Sequence, residues 1–180
     1  EGLHYKDRLY KGGALNIRGT HHATESCLTK YFNEPFNQGK VFASMLLHYQ
    51  SVESESVGQV NFLVQNGWGG PTEKQVSLSI QNDAIYCYQE DSPDNVNPAR
   101  WVADYDNKVV LVVFEYDLGP VGQDVLKIYI NPENKQNMKP EATINGELTF
   151  DRLQFNVTGR AGGNLTVDEV RVGRKLDDVL

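Results

Sequence analysis

The chain has 180 residues and a mass of 20.2 kDa, which suits one domain with its own core and leaves little room for a second. Its 24 Asp and Glu against 17 Lys and Arg give a formal net charge of −7, so its long-range field repels nucleic-acid phosphates and anionic membrane surfaces. The longest apolar stretch, Val109 to Phe114, is six residues, far short of the roughly 20 that a membrane-spanning helix needs, so we expect a soluble domain without membrane insertion.

Alternation of apolar and polar residues is the main pattern along the chain. A strand with one buried face has this period of two, because successive side chains point to opposite sides of the sheet. The pattern predicts strands, in chain order, at Ala14 to Arg18, Val41 to Tyr49, Val60 to Gln65, Val76 to Gln81, Ile85 to Tyr88, Val109 to Tyr116, Leu126 to Ile130, Leu148 to Val157 and Leu165 to Val172.

The segment from Val109 to Ile130 predicts a central hairpin. Its first strand, VVLVVFEY, is apolar on both faces and rich in β-branched and aromatic residues, which favours a position deep in a sheet. Leu118 to Gly122 provides turn residues, and the alternation then resumes up to Ile130. The strand is expected to end at Asn131-Pro132, because proline has no backbone N–H to donate.

Near Asp151 the apolar positions change phase, from Leu148 and Phe150 to the odd-numbered positions that follow. Such a slip predicts a β-bulge that bends the strand.

These patterns together predict an all-β, two-sheet antiparallel β-sandwich of the jelly-roll type. No segment shows a sustained 3.6-residue apolar stripe with a capped start, so helix content should be low, whereas a parallel α/β sheet would need helical crossovers. The residues predicted to form the core are Phe62, Leu78, Val112, Phe114, Ile128 and Phe155.

The two cysteines, Cys27 and Cys87, are too far apart in sequence for a CxxC redox or zinc motif. Two interpretations stay open, a disulfide that closes a long loop or two buried thiols.

Motifs for common catalytic mechanisms, such as serine nucleophile elbows, HExxH zinc helices and phosphate-binding glycine loops, do not occur in the sequence. Glu115 and Asp117 share a face of one strand and could in principle act as an acid and nucleophile pair. Concanavalin-like glycoside hydrolases of the laminarinase type show Glu-x-Asp-x-x-Glu on such a strand, but the third acidic position here is Pro120. The catalytic set is incomplete, and two solvent-facing carboxylates are the simpler interpretation.

Trp68 lies in the glycine-rich segment Asn66 to Pro71. The glycines next to Trp68 have no side chains, so they leave a face of its indole ring uncovered. Sugar rings stack on such faces while amides bind their hydroxyls, so we predict ligand-binding roles for Trp68 and Asn66, with Trp101 and Tyr105 as further contacts. The alternative for both tryptophans is burial against the core.

The acidic stretch 89–98, QEDSPDNVNP, is the longest irregular segment. Asp91, Asp94, Asn95 and Asn97 offer oxygen ligands suited to Ca²⁺, although their spacing matches no EF-hand. A calcium site and a solvated connector are both consistent with this sequence.

Three segments carry a resemblance to a known family: Val112 to Tyr116, Gln123 to Pro132, and Thr166 to Gly173, with a weaker match over Leu3 to Leu15. They resemble the concanavalin A-like, laminin-G-type jelly-roll domains found in secreted proteins of environmental bacteria such as planctomycetes and verrucomicrobia. In those domains an additional strand and loop come first. Residues 1–180 would then be one jelly-roll domain that lacks an upstream first strand and derives from a longer, processed protein.

The resemblance implies an extracellular or cell-surface location and a binding role, often toward carbohydrate, within a larger or surface-attached protein. The leading hypothesis is a non-catalytic carbohydrate-binding module that recognises a polysaccharide or glycan. The second is a structural or adhesive protein that assembles with other chains through an exposed sheet edge. The third is a polysaccharide-cleaving enzyme that uses Glu115 and Asp117.

Overall fold

The structure, a computed structural model, describes residues 4–5, 8–9, 14–19, 25–51, 57–65, 72–81, 84–88, 99–102, 107–120, 123–133, 135–146, 148–158 and 163–180. The described strands form two antiparallel six-stranded sheets and one two-stranded hairpin, which confirms the predicted two-sheet sandwich. In these ranges no α-helix occurs, and no helix has the length and apolar character that crossing a membrane requires.

The strands, in chain order, are β1 His4–Tyr5, β2 Arg8–Leu9, β3 Leu15–Arg18, β4 Glu25–Phe36, β5 Gly39–Ser51, β6 Val57–Gln65, β7 Thr72–Gln81, β8 Ala84–Tyr88, β9 Ala99–Val102, β10 Val109–Leu118, β11 Asp124–Ile130, β12 Ala142–Gly146, β13 Phe150–Thr158 and β14 Gly163–Gly173. Sheet I has the order β12-β11-β10-β5-β14-β3, and sheet II has the order β4-β13-β6-β7-β8-β9. A 3-10 helix, Leu176–Asp178, follows β14.

The predicted central hairpin is confirmed. β10 pairs with β11 on one side and with β5 on the other, and Phe114 stands opposite Ile128. The hairpin strand ends at Asn131, where φ is +48° and the side-chain oxygen accepts a hydrogen bond of 2.9 Å from the Leu111 amide. Asparagine tolerates this left-handed conformation better than most residues, which explains why the strand stops there.

The pairing is irregular at Asp151, as predicted, but the extra residues belong to the partner strand β4 and not to β13. Phe150 pairs with Phe36 and Arg152 pairs with Tyr31, so residues 32–35 of β4 lie opposite the single residue Asp151. The extra residues bend β4 at the edge of sheet II.

The core lies between the two sheets, and all six residues predicted for it are buried. Four aromatic rings form its centre. Phe62 of sheet II lies 4.8 Å from Phe114 and 5.2 Å from Tyr116 of sheet I, centroid to centroid, and 5.0 Å from Phe150. These rings join the two sheets.

The strands that the sequence did not predict are β4, β9, β12 and the β1–β2 hairpin. In the described topology β4, β9 and β12 are edge strands. An edge strand buries less of its surface than a central one, so alternation is weaker there, and β4 carries Lys30, Glu34 and Pro35 among its apolar residues.

The predicted disulfide between Cys27 and Cys87 is wrong, and the alternative of two buried thiols is supported at Cys87 alone, because the side chain of Cys27 lies outside the described part. Cys27 lies in β4 and Cys87 in β8, which are separated by three strands of the same sheet. Four strand spacings amount to about 19 Å, whereas a disulfide needs Cα atoms within about 7 Å. The Cys87 thiol is buried in the core.

Candidate functional site

The outer face of sheet I contacts the end of the chain at Ser44. Ser44 on this face donates a hydrogen bond of 2.6 Å to the Val179 carbonyl oxygen, and Val179 is itself buried. Leu46 and Val113, which point outward from the same sheet, are buried as well. The outer face of sheet II is the better candidate for a functional surface because it includes the exposed Tyr31 and the half-buried Gln59 and Gln154, although the middle of this face, at Asn61 and Asn156, is buried.

The outer face of sheet II is lined by polar side chains that the strand registers place in rows across the sheet. We call it the polar face and define it by the residues whose side chains are described there: Thr29, Tyr31, Gln59, Asn61, Ser77, Ser79, Tyr86, Arg152, Gln154 and Asn156. The strand registers also place Glu25, Lys74 and Arg100 on this side of the sheet.

Asn61 is the centre of a hydrogen-bond network on the polar face. Its side-chain oxygen accepts a bond of 2.6 Å from the Ser77 hydroxyl, and its amide nitrogen donates to Gln154 (3.3 Å) and Asn156 (3.2 Å). Gln154 donates in turn to Thr29 at 3.5 Å. Asn61, Ser77 and Asn156 are buried, so the network fixes side chains across four neighbouring strands and reaches the surface at the half-buried Gln154 and Thr29.

Tyr31 provides an exposed aromatic ring beside this network. Its side chain is 62% exposed, and the Arg152 guanidinium lies over the ring, 4.8 Å from the centroid. Asp151 holds Arg152 by two contacts, from Nε to Oδ1 (2.6 Å) and from Nη2 to Oδ2 (3.0 Å), and this hydrogen bonding raises the pKa of Arg152. The ring is therefore held from one side and open to a flat partner.

The residues that the sequence predicted for ligand binding fall mostly outside the described residues. Asn66, Trp68 and Tyr105 lie outside them. Trp101 lies in β9 opposite Ile85, with its side chain outside the described part.

The predicted residues attach to opposite ends of sheet II. Segment 66–71 starts where Gln65 pairs with Thr72, near the row that contains Tyr31 and Arg152. β9 runs toward the other end, where Val102 pairs with Ala84. The ligand-binding roles of these four residues stay predictions.

The predicted calcium ligands, Asp91, Asp94, Asn95 and Asn97, also lie outside the described residues. Within the described ranges no group of three His, Cys, Asp or Glu side chains is placed to hold a metal ion.

Glu115 and Asp117 lie on sheet I, away from the polar face. Glu115 accepts a hydrogen bond of 2.6 Å from the Tyr129 hydroxyl and contacts Lys40 at 3.3 Å and Lys127 at 3.6 Å, while Asp117 contacts Lys40 at 3.4 Å. Burial acts to raise the pKa of Glu115, but the Tyr129 hydrogen bond and the two lysines outweigh it and hold this pKa below its usual value. A carboxylate kept ionised in this way is a poor general acid, so the network favours a structural role.

An apolar cavity of about 500 Å³ opens between the sheets beside β4 and β14. Leu28 and Val170 line its opening and are 46% and 43% exposed. β3 pairs with only residues 164–167 of β14, so the rest of β14 has β5 as its described neighbour.

The sequence matches no protein-family model and no curated protein. Solved structures are similar in fold. An endo-β-1,4-glucuronan lyase from the fungus Trichoderma reesei superimposes with a TM-score of 0.60 at 16% identity, over 95% of this chain and 85% of that one. The potassium-bound Emp46p carbohydrate recognition domain gives a TM-score of 0.58 at 10% identity, over 94% and 86%.

A family 7 alginate lyase, A1-II′, in complex with substrate gives a TM-score of 0.54 at 9% identity, and the match spans 76% of this chain and 61% of that one. At these identities the similarity shows the jelly-roll fold alone.

Proposed function

We propose that this chain is a non-catalytic carbohydrate-binding module of a secreted or surface protein, and that the polar face binds the glycan. The observation that carries this proposal is the exposed ring of Tyr31 beside the half-buried Gln154 and Thr29, the part of the Asn61 hydrogen-bond network that reaches the surface. Sugars present hydroxyls to amides and apolar C–H faces to aromatic rings, so one surface meets both needs.

Two kinds of fold neighbour support carbohydrate as the ligand, because one is named as a carbohydrate recognition domain and others as polysaccharide lyases. Binding is favoured over cleavage by the chemistry of the polar face. The ten residues that define it provide amides, hydroxyls and a guanidinium already paired with Asp151, groups that suit the binding of sugar hydroxyls.

We expect Tyr31→Ala to weaken glycan binding about tenfold, the effect of losing one aromatic contact of about 1.4 kcal/mol. A glycan array identifies a ligand, and affinity electrophoresis or calorimetry then compares the variants. Tyr31→Phe, which keeps the ring, should bind normally, as should Asn145→Ala on the exposed β12 of sheet I.

Retention that is unchanged in Tyr31→Ala would exclude the polar face as the site. Trp68→Ala in the same experiment tests the stacking role predicted for Trp68. Failure to bind any glycan of a broad plant and algal panel would contradict the proposed function.

A second candidate, a structural protein that assembles with other chains, is favoured by the cavity between β4 and β14. Leu28, Tyr31 and Val170 are the large apolar side chains exposed in the described part of the chain, and two of them line this opening. Lys30, Pro35 and the bulge in β4 act against it, because they disfavour the addition of another strand.

Sedimentation over a wide concentration range tests the assembly candidate. We expect association, if it occurs through this opening, to be lost in Val170→Lys, whereas Lys135→Ala on a remote surface leaves it unchanged. A strict monomer at high concentration would remove this candidate.

A further inference from the structure

The cavity beside β4 and β14 reaches from the surface into the core of the sandwich. Its inner wall includes Leu153 and Phe155 of sheet II and Val167 of sheet I, which are at most 3% exposed. Leu28 of sheet II and Val170 of sheet I line its opening. Its volume of about 500 Å³ lies within the roughly 300–1,000 Å³ of small-molecule sites. The cavity can therefore hold a small apolar ligand away from water.

The backbone of β14 shapes this opening. Glu169 and Val170 both lie opposite the single residue Met45 of β5, which makes a bulge, and Glu169 has a φ of +51°. The pairing with β3 ends at Val167, immediately before the bulge. A bulge bends its strand and redirects the side chains, so Val170 stands at the edge of the cavity instead of filling the core.

Lys30 is the charged side chain that this opening offers to a ligand. It pairs with Leu153 and therefore shares the inner side of sheet II with that core residue. The residue is exposed and lines the cavity. Within the described ranges the Lys30 amino group has neither an ion pair nor a side-chain hydrogen bond. Its charge is therefore available to an anion bound at the opening.

The two acids that also line the cavity are already engaged. Glu169 accepts bonds of 2.6 Å and 3.2 Å from the Arg171 guanidinium, which compensates its charge. Asp168 is only 6% exposed, and its carboxylate accepts a bond of 2.8 Å from the Glu169 amide. The opening therefore favours an anionic group over a cationic one.

We propose that this cavity binds a free medium-chain fatty acid, with the alkyl chain inside the cavity and the carboxylate at Lys30. The apolar inner wall accounts for the chain, and the unpaired Lys30 accounts for the acidic head. The site lies between the sheets, whereas the polar face is the outer side of sheet II. The inference is therefore independent of the proposed glycan binding.

A series of saturated fatty acids, from hexanoate to tetradecanoate, tests the cavity by calorimetry on the full chain. We expect one molecule to bind per chain. Affinity should rise about fourfold with each added methylene while the cavity fills, and then level off, because a longer chain extends into water. Failure to bind any member of the series would overturn the inference, as would a stoichiometry well above one.

The head group is tested at physiological salt, where long-range charge effects are screened. Decanoate should bind about two- to fivefold more tightly than decanol, the size of one exposed ion pair, and decyltrimethylammonium should bind no more tightly than decanol. Lys30→Gln should abolish this preference. Lys139→Gln, at an exposed lysine between β11 and β12, should preserve it. A preference that survives Lys30→Gln would overturn the placement of the carboxylate.

Blocking the opening tests the location of the site. Val170→Trp and Leu28→Trp place an indole at the opening from opposite sheets, and each should weaken decanoate binding tenfold or more. Asn145→Trp adds the same ring to the exposed β12 and should leave binding unchanged. Native β-sheet circular dichroism identifies the variants that fold. Decanoate binding that is unchanged in either folded blocking variant would overturn the inference.

A second copy of the chain is the competing occupant of this opening. Sedimentation with and without decanoate distinguishes the two. Self-association that Val170→Lys abolishes, in a chain that binds no decanoate, would assign the opening to assembly and overturn the inference. A monomer that binds one decanoate would support it.

Discussion

Phe62→Ala should lower the free energy of unfolding by about 3–5 kcal/mol, as expected when a fully buried phenylalanine is truncated. Phe62 has no measurable exposure, and its ring contacts Phe114, Tyr116 and Phe150 at centroid distances of 5.2 Å or less. Two of these partners belong to the opposite sheet, so truncation would leave a cavity between the two sheets. The backbone pairing within each sheet prevents the strands from moving inward to fill it.

Denaturant-induced unfolding followed by circular dichroism measures this effect. Phe62→Leu should lose less, because it fills part of the space. Tyr31→Ala removes an aromatic ring from the surface and should cost less than about 1 kcal/mol. A loss of stability below about 1 kcal/mol for Phe62→Ala would contradict the burial of this ring between the two sheets.

Asp124→Ala should destabilise the protein by about 2–4 kcal/mol, because it removes two charge-assisted hydrogen bonds at once. The buried carboxylate accepts a bond of 2.9 Å from the Gly119 amide and one of 2.8 Å from the Leu148 amide. It thereby ties the turn between β10 and β11 to the start of β13. Truncation leaves the Leu148 amide buried without this acceptor.

Asp177→Ala is the matched control for this measurement. Asp177 also contacts a partner, Lys135 at 2.9 Å, but its side chain is 84% exposed. Such surface pairs contribute little, so Asp177→Ala should leave the free energy of unfolding nearly unchanged. Asp124→Asn keeps one acceptor and should fall between the two. Equal stability of Asp124→Ala and Asp177→Ala would contradict the role of Asp124.

The interior strands could be predicted because burial on one side imposes alternation on the sequence. The bulge at Asp151 was visible for the same reason, as a change in which positions are apolar. Edge strands such as β4 bury less of their surface, so their alternation is weaker. For this reason the sequence predicted neither β4 nor a role for Tyr31 within it. The recurrence of Leu28, Phe32 and Phe36 at even spacings is the signal that could have indicated the strand.

The polar face could not be located from sequence in the same way. The alternation places Asn61 and Ser77 on the side of their strands away from the core, but strands of both sheets have polar residues at such positions. Which outer face is available for binding depends on where Val179 and the end of the chain pack, and Ser44 gives no local sign that it will receive them. Long-range packing of this kind has no short-range pattern.

The position of β14 within sheet I has a consequence for how the chain is made. β14 pairs with β5 on one side and β3 on the other, and the side chain of Asn16 donates to that of Thr166, 150 residues later. Sheet I therefore cannot close until β14 has left the ribosome. A nascent chain that ends before residue 163 would expose one edge of β5, which would need protection from aggregation until β14 pairs with it.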